Sequence, residues 1–246
     1  MGTAPGHRHP LLRLRTAVSL SLLAGTLALT ASPASAENTS AENSADVVDG
    51  LVVRYDLDQE SGATATDTSG HGRDGTLAGD ASWSDGALTL GGGNGHVRLP
   101  NNVLAGLTQI TVSADVYLDP AQATPYMIWA LGNTDSGGVG NGYLFATGNA
   151  FRTSIASGNW STEQTVTSSA NLRRGVWSSI SYTLDANGEA GEYLNGVRVA
   201  TKSGVTLKPG DLGGGTTTAN YLAGRCTART STCRAGSATS GSTTGH

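Results

Sequence analysis

Charge is scarce in this sequence. Of its 246 residues only 14% are Asp, Glu, Lys or Arg, against roughly 25% in an ordinary soluble domain. Too few charges repel one another to hold the chain open, which excludes disorder of the polyelectrolyte kind. Cysteine is scarcer still: only Cys226 and Cys233 occur, and they form no redox or metal-binding motif. Heptads, a collagen period and Lys/Arg-rich runs are absent. No apolar stretch reaches the ~18 residues that a spanning helix requires. Glycine is what the chain has in excess. Its 35 glycines are about twice the usual share, and with abundant Ser and Thr they disfavour helix. The class left standing is a turn-rich, all-β chain.

The two ends differ from the body. Arg8, Arg13 and Arg15 precede an apolar run from Ala17 to Ala31, and Ala34-Ser35-Ala36 offers a small-residue cleavage site. Residues 1–36 therefore read as a secretory signal peptide and 37–47 as a polar leader, so a secreted, extracellular protein without a membrane anchor is expected. Residues 37–224 carry 9 Lys/Arg and 19 Asp/Glu, a net of −10, whereas residues 225–246 carry three Arg and no acid. An acidic body argues against nucleic acid as a partner. Cys226 and Cys233 could close a short disulfide loop after export, but both lie outside the body and cannot staple it.

Residues 48–222 read as a sandwich of short strands. Apolar residues alternate at Leu51, Val53, Tyr55 and Leu57 and again at Ile110, Val112, Ala114, Val116 and Leu118, the period of a half-buried strand. Further strands are expected at Val97–Leu99, Tyr126–Leu131, Tyr143–Thr147, Phe151–Ala156, Trp160–Val166 and Ile180–Leu184. Asn195-Gly196 between Tyr193-Leu194 and Val197–Val199 predicts a tight hairpin. Trp129 and Trp177 are expected in the core.

The runs GLVVRYDLDQESGATATDTSGHGRDGTL, GHVRLP, GVWSSISYTLD and EYLNGVRVA resemble the LamG-like, concanavalin A-type jelly roll, over about Val48 to Tyr221. The stretch TPYMIWALGNTDSGGVGNGYLFATGNAFRTSIASGNWSTEQT is similar to the LamG-like module of secreted actinobacterial glycoside hydrolases active on arabinan and arabinofuranosides. That resemblance implies an antiparallel β-sandwich and a non-catalytic accessory role beside a separate catalytic domain. It also implies a closing strand after Asn220-Tyr221-Leu222, reading like RDFRIYDRA. Residues 223–246 contain nothing of the kind, so a domain without its closing strand and a disordered tail are expected. Pairing the third base of each codon with the first two of the next, with free choice of wobble bases, lets Arg229–His246 read PDEYLQGRVRDFRIYDRA. The tail is thus either frameshifted from about residue 223, making the chain a truncated piece of a longer hydrolase, or a natural Ser/Thr/Gly-rich linker.

Candidate chemistry is sparse. Gly70-His71-Gly72-Arg73-Asp74-Gly75 matches a phosphate-loop pattern but lacks the preceding strand and following helix, so it reads as a turn on which Asp67 folds back. Related jelly rolls often carry a structural calcium at such an edge, and here Asp67, the carbonyl of Gly70 and Asp74 would be its ligands; an Asx-turn weighs more. The carboxylates of a jelly-roll glucanase would stand at i, i+2 and i+4 on one strand, and no such set occurs. Sugar binding has better support. Trp160 lies in the polar run Asn159-Trp160-Ser161-Thr162-Glu163-Gln164, and Tyr143, Arg152, Trp160, Glu163 and Gln164 could share one face, either as a ligand site or as a structural hydrogen-bond network. The expected function is a monomeric, secreted carbohydrate-binding module with a polysaccharide or oligosaccharide partner. A jelly roll that hydrolyses glycan itself, or one that is purely structural or adhesive, are the alternatives.

Overall fold

A computed structural model describes residues 50–90, 94–122, 124, 126–133, 141–148 and 150–222, and the backbone of 223 and 227–234. The expected signal peptide (1–36) and polar leader (37–47), Gly91–Gly93, Cys226 and residues 235–246 lie outside the described residues.

The strands are β1 (Leu51–Tyr55), β2 (Thr64–Ala65), β3 (Gly75–Ala78), β4 (Ala81–Ser84), β5 (Ala87–Leu90), β6 (His96–Arg98), β7 (Ile110–Tyr117) and β8 (Met127–Gly132). There follow β9 (Tyr143–Gly148), β10 (Phe151–Ala156), β11 (Gln164–Thr167), β12 (Trp177–Leu184), β13 (Ala190–Leu194), β14 (Val197–Lys202), β15 (Tyr221–Ala223) and β16 (Thr227–Arg234). They form two antiparallel sheets. The first is ordered β14-β13-β12-β7-β16-β5-β4, with β1 also on β16; the second is ordered β11-β10-β9-β8-β15-β6-β3-β2. Among the described residues there is no helix long and apolar enough to cross a membrane.

Parity builds the sandwich. In β7, Ile110, Val112, Ala114 and Val116 are buried while their neighbours are half-exposed. In β12 the inward set is Ser178, Ile180, Tyr182 and Leu184. These meet Trp129, Leu131, Leu144, Ala146 and Ile155 of the second sheet in one continuous core. Each fully buried aliphatic side chain there contributes ~1.5–3 kcal/mol by leaving water. The expected hairpin is present: Asn195 and Gly196 take φ of 51° and 79° between β13 and β14, the paired left-handed conformation of a two-residue turn. Gly148 has a different reason to lack a side chain, since a Cβ there would lie 1.8 Å from the Tyr126 ring.

Four expectations are corrected. Trp129 is fully buried, but Trp177 is 37% exposed on the outer face of the first sheet, its ring 5.8 Å from that of Tyr117. It stands three residues before Ile180, an odd interval, and odd intervals on a strand change face. The strand begun at Trp160 starts instead at Gln164, because Asn159 turns Trp160–Thr162 into a short 3₁₀ segment. The first strand ends at Tyr55; Leu57 remains fully buried but in left-handed backbone, φ 57°, a conformation costing ~1–2 kcal/mol outside glycine. Finally, the closing strand expected to be missing is present. Residues 227–234 pair with β7 along one edge and with both β5 and β1 along the other. Ladder hydrogen bonds need only backbone, and a slot flanked by three strands satisfies it whatever side chains the chain brings. The register slips between Ala228 and Ser231.

Candidate functional site

The outer face of the second sheet, at its β9–β10–β11 end, collects the polar and aromatic residues of the middle stretch. Leu144, Ala146, Thr153 and Ile155 point inward and are fully buried, so Tyr143 and Phe145 of β9 and Arg152 and Ser154 of β10 face out. The register sets Ser154 between Phe145 and Thr165, and Arg152 between Thr147 and Thr167.

Glu163, immediately before β11, ties this face together. Tyr143 Oη donates to its Oε1 at 2.8 Å and Arg152 Nη1 donates to its Oε2 at 2.8 Å. The same Arg152 nitrogen donates to Ser154 Oγ at 3.1 Å, and Ser154 Oγ lies 2.7 Å from Thr165 Oγ1. Arg152 Cζ also stands 4.9 Å from the Phe145 centroid, and the Tyr143 and Phe145 rings are 5.3 Å apart, so Phe145 takes part in both a cation–π contact and an aromatic pair. Burial alone would raise the Glu163 pKa, but the hydrogen bonds from Arg152 and Tyr143 and the guanidinium charge overcome it and hold the carboxyl below its ordinary range. Burial, followed by donation to that carboxylate, raises the Tyr143 phenol. Arg152 and Glu163 are therefore a formed ion pair with a protonated tyrosine beside it.

Trp160 stands on the loop entering Glu163 and is 76% exposed. The loop is bonded to itself. Asn159 Oδ1 accepts from Ser161 N at 2.9 Å and from Ser161 Oγ at 2.6 Å, and Asn159 O accepts from Thr162 N at 3.0 Å. Gly158 N donates to Thr162 Oγ1 at 3.3 Å. The indole is thus presented by a shaped turn. Gln164 is turned elsewhere: its amide exchanges two hydrogen bonds with Thr206, Nε2 to Oγ1 at 2.8 Å and Oε1 from the backbone N at 2.7 Å. It fastens the loop before the 3₁₀ segment Pro209–Gly215. The structure thus joins Tyr143, Arg152 and Glu163 directly, with Trp160 three residues before Glu163 on the entering loop and Gln164 as an anchor to a neighbouring loop.

The Asp67 turn is closed by its own hydrogen bonds. Oδ1 accepts from Arg54 N at 3.1 Å and Ser69 N at 2.9 Å; Oδ2 accepts from Ser69 Oγ and Arg73 N, each at 2.8 Å. Asp74 Oδ1 accepts from Asp67 N at 2.8 Å, and Gly70 and Gly72 take φ of 87° and 65°. Burial works to raise the Asp67 pKa, but the Ser69 hydroxyl and three backbone amides bring it below the ordinary value. Calcium takes about 6–8 oxygens with lone pairs free to face it, whereas four hydrogens already face the Asp67 oxygens. This donor set does not fit a cation. Among the described residues no cluster of three or more His, Cys, Asp or Glu is placed to hold a metal.

Two residues take places that the sequence did not assign to them. Trp177 forms a second exposed aromatic platform with Tyr117. Glu192 is fully buried between the sheets, and neither of its oxygens has a well-formed hydrogen bond among the described residues. Burial pushes its pKa up to about 8, and the nearby Thr153 hydroxyl and the Ser168 and Thr153 amides offset only part of that. The signal was legible: Glu192 alternates with Ala190 and Leu194, so it shares their inward parity.

Comparison with known proteins places this geometry in a family. No curated protein matches the chain. Domain 4 of AbnA, an extracellular GH43 arabinanase from Geobacillus stearothermophilus solved in complex with arabinotriose, superposes with a TM-score of 0.58 at 20% identity, over 76% of this chain and 92% of that one. A Trypanosoma rangeli sialidase aligns at TM-score 0.54 and 14% identity over 75% of this chain, which spans only 30% of the sialidase. The binding domain of botulinum neurotoxin serotype C1 aligns at 0.55 and 14% identity, over 77% of this chain and 49% of that one. At these identities the likeness is one of fold. The laminin G-like family model described as "Concanavalin A-like lectin/glucanases superfamily" matches residues 91–231, more than half of the chain, which therefore belongs to that superfamily.

Proposed function

We propose that this domain is an exported, non-catalytic carbohydrate-binding module that holds an attached hydrolase on a plant polysaccharide, arabinan or arabinoxylan. The observation that carries the reading is Trp160: a large aromatic left 76% exposed on a turn fixed by its own hydrogen bonds. Sugars present patches of C–H groups that stack on such a ring, and a side chain with only two torsions on a fixed turn loses little freedom on binding. The planar groups of Glu163, three residues further along, and of Arg152 bonded to it suit sugar hydroxyls. The fold shared with an arabinanase domain solved with arabinotriose supports the substrate class. Tethering of this kind raises the effective concentration of the attached enzyme at its substrate.

Binding without turnover is supported by the state of the two notable glutamates. A glycosidase needs one carboxyl held protonated and a second, ionised one, both reaching the substrate. Glu163 is ionised and committed to Arg152, and Glu192 is sealed between the sheets. Export rests on residues 1–36, and a mature N-terminus at Glu37 is expected when the secreted product is sequenced. The alternate frame from about residue 223 would supply a hydrophobic strand for the slot that β16 occupies; reading the gene around codon 222 tests it, and stop codons in that frame would end the idea.

Affinity electrophoresis through arabinan and arabinoxylan gels tests the site. Trp160→Ala is expected to lose retardation while its unfolding free energy stays within about 0.5 kcal/mol of wild type, as for an exposed side chain. Equal retardation of both proteins would remove Trp160 from the site. A reducing-sugar assay on the intact chain should show no release.

A further inference from the structure

We infer that Glu163 sets the charge selectivity of this face, so that the site takes neutral glycans and turns away acidic ones such as uronates and sialic acids. The inference rests on the carbohydrate-binding reading and adds a substrate class and the residue that determines it. Anionic sugars are recognised by a cation with nothing else to neutralise it, above all by the fork of a free guanidinium. Arg152 is the cation of this face, and Nη1 is given to Glu163 Oε2 at 2.8 Å and to Ser154 Oγ at 3.1 Å. Its Cζ lies over the Phe145 ring, 4.9 Å from the centroid. The side chains of Arg152 and Glu163 are 32% and 14% exposed, so a ligand meets a closed ion pair whose net charge is zero.

The second oxygen of Glu163 is equally committed. Tyr143 Oη donates to Oε1, so its proton is spent and the phenol oxygen is left with acceptor capacity alone. An acceptor pairs with a sugar hydroxyl but repels a carboxylate. What the face still offers is hydroxyl chemistry: the remaining guanidinium N–H groups as donors, Tyr143 Oη as acceptor, and the exposed indole of Trp160 as a stacking surface. The long-range field acts in the same direction, because residues 37–246 carry 12 Lys/Arg and 19 Asp/Glu, a net of −7, and slow the approach of an anion. The nearest other cation along the loop that Gln164 fastens is Lys208, and Asp211 follows it three residues later.

Removing the Glu163 charge releases Arg152, so the selectivity should be gained as well as lost. The test uses the full secreted chain at low ionic strength and two probes of equal length, a linear arabino-oligosaccharide and an oligogalacturonate, titrated calorimetrically. Wild type is expected to bind the neutral probe and to bind the acidic one at least tenfold more weakly. Glu163→Gln keeps the shape and is expected to bind oligogalacturonate about tenfold better than wild type, the worth of one charge-assisted hydrogen bond, with the gain erased by salt. The gain should vanish in the double variant Arg152→Gln/Glu163→Gln and persist in Lys208→Gln/Glu163→Gln. Equal wild-type affinity for the two probes, or a folded Glu163→Gln protein with no gain for the acidic one, would overturn the role of Glu163 while leaving sugar binding intact. Binding of neither probe to wild type would overturn the carbohydrate reading itself.

Discussion

Glu163 and Glu192 belong to the same sandwich and end in opposite chemical states. Glu163 lies on the outer face with a guanidinium and a phenol donating to it, and it is held ionised. Glu192 lies between the sheets, across the ladder from Tyr182 and within reach of Thr153, with no well-formed hydrogen bond to either oxygen. Burial sets it protonated to about pH 8 and, with the charge Glu192 would carry, raises the Tyr182 phenol. Both carboxyls lose water; only one recovers partners. The difference shows that donors, more than depth, decide whether a carboxylate survives enclosure.

The contrast can be tested through pH. Glu192 has a folded-state pKa raised from 4.5 to about 8, so its stabilising share is complete below pH 4.5 and is lost as pH rises through 8. Each pH unit within that window costs on the order of 1 kcal/mol, the largest effect expected here. Replacing Glu192 by Leu or Gln should flatten the fall in unfolding free energy between pH 5 and 8, and an unchanged slope would show that Glu192 is not held neutral. Next in size, Asp67→Ala removes the acceptor of four donors and should cost ~2–3 kcal/mol in urea unfolding, irrespective of added calcium.

Glu163 titrates in the opposite sense. Its folded pKa lies below 4.5, so its contribution is present above that value and is lost as pH falls through the lowered one. Glu163→Ala should cost ~1–2 kcal/mol at pH 7 and reduce acid sensitivity below pH 4.5, checked by urea titrations at pH 3 and 7. Smallest of all, Tyr143→Phe deletes one of the two donors and should cost ~0.5–1 kcal/mol. A larger loss from Tyr143→Phe than from Glu163→Ala would reverse the assignment of Arg152 as the main partner.

Sequence parity carried most of the fold. The alternation at Ile110–Val116 and the Asn195-Gly196 turn became β7 and a hairpin because both are local rules with strong sterics behind them. Trp177 was misplaced by its aromatic type when its odd spacing from Ile180 was the better guide. β16 could not be foreseen from composition, since its place is set by three other strands distant in sequence. At the site, the polar run around Trp160 and the grouping of Tyr143, Arg152 and Glu163 were legible as residue types. That Glu163 bridges the other two, while Gln164 turns to Thr206, depends on the 3₁₀ turn that Asn159 imposes.

The self-bonded turn at Asn159 also bears on timing. A loop that must first find its binding shape makes its ligand wait, and the observed rate then levels off as ligand concentration rises. Here the shape is fixed before any encounter by hydrogen bonds among Gly158, Asn159, Ser161 and Thr162. If Trp160 stacks on sugar as proposed, capture should therefore proceed in a single phase whose rate climbs linearly with ligand, with no plateau set by a loop that must first rearrange.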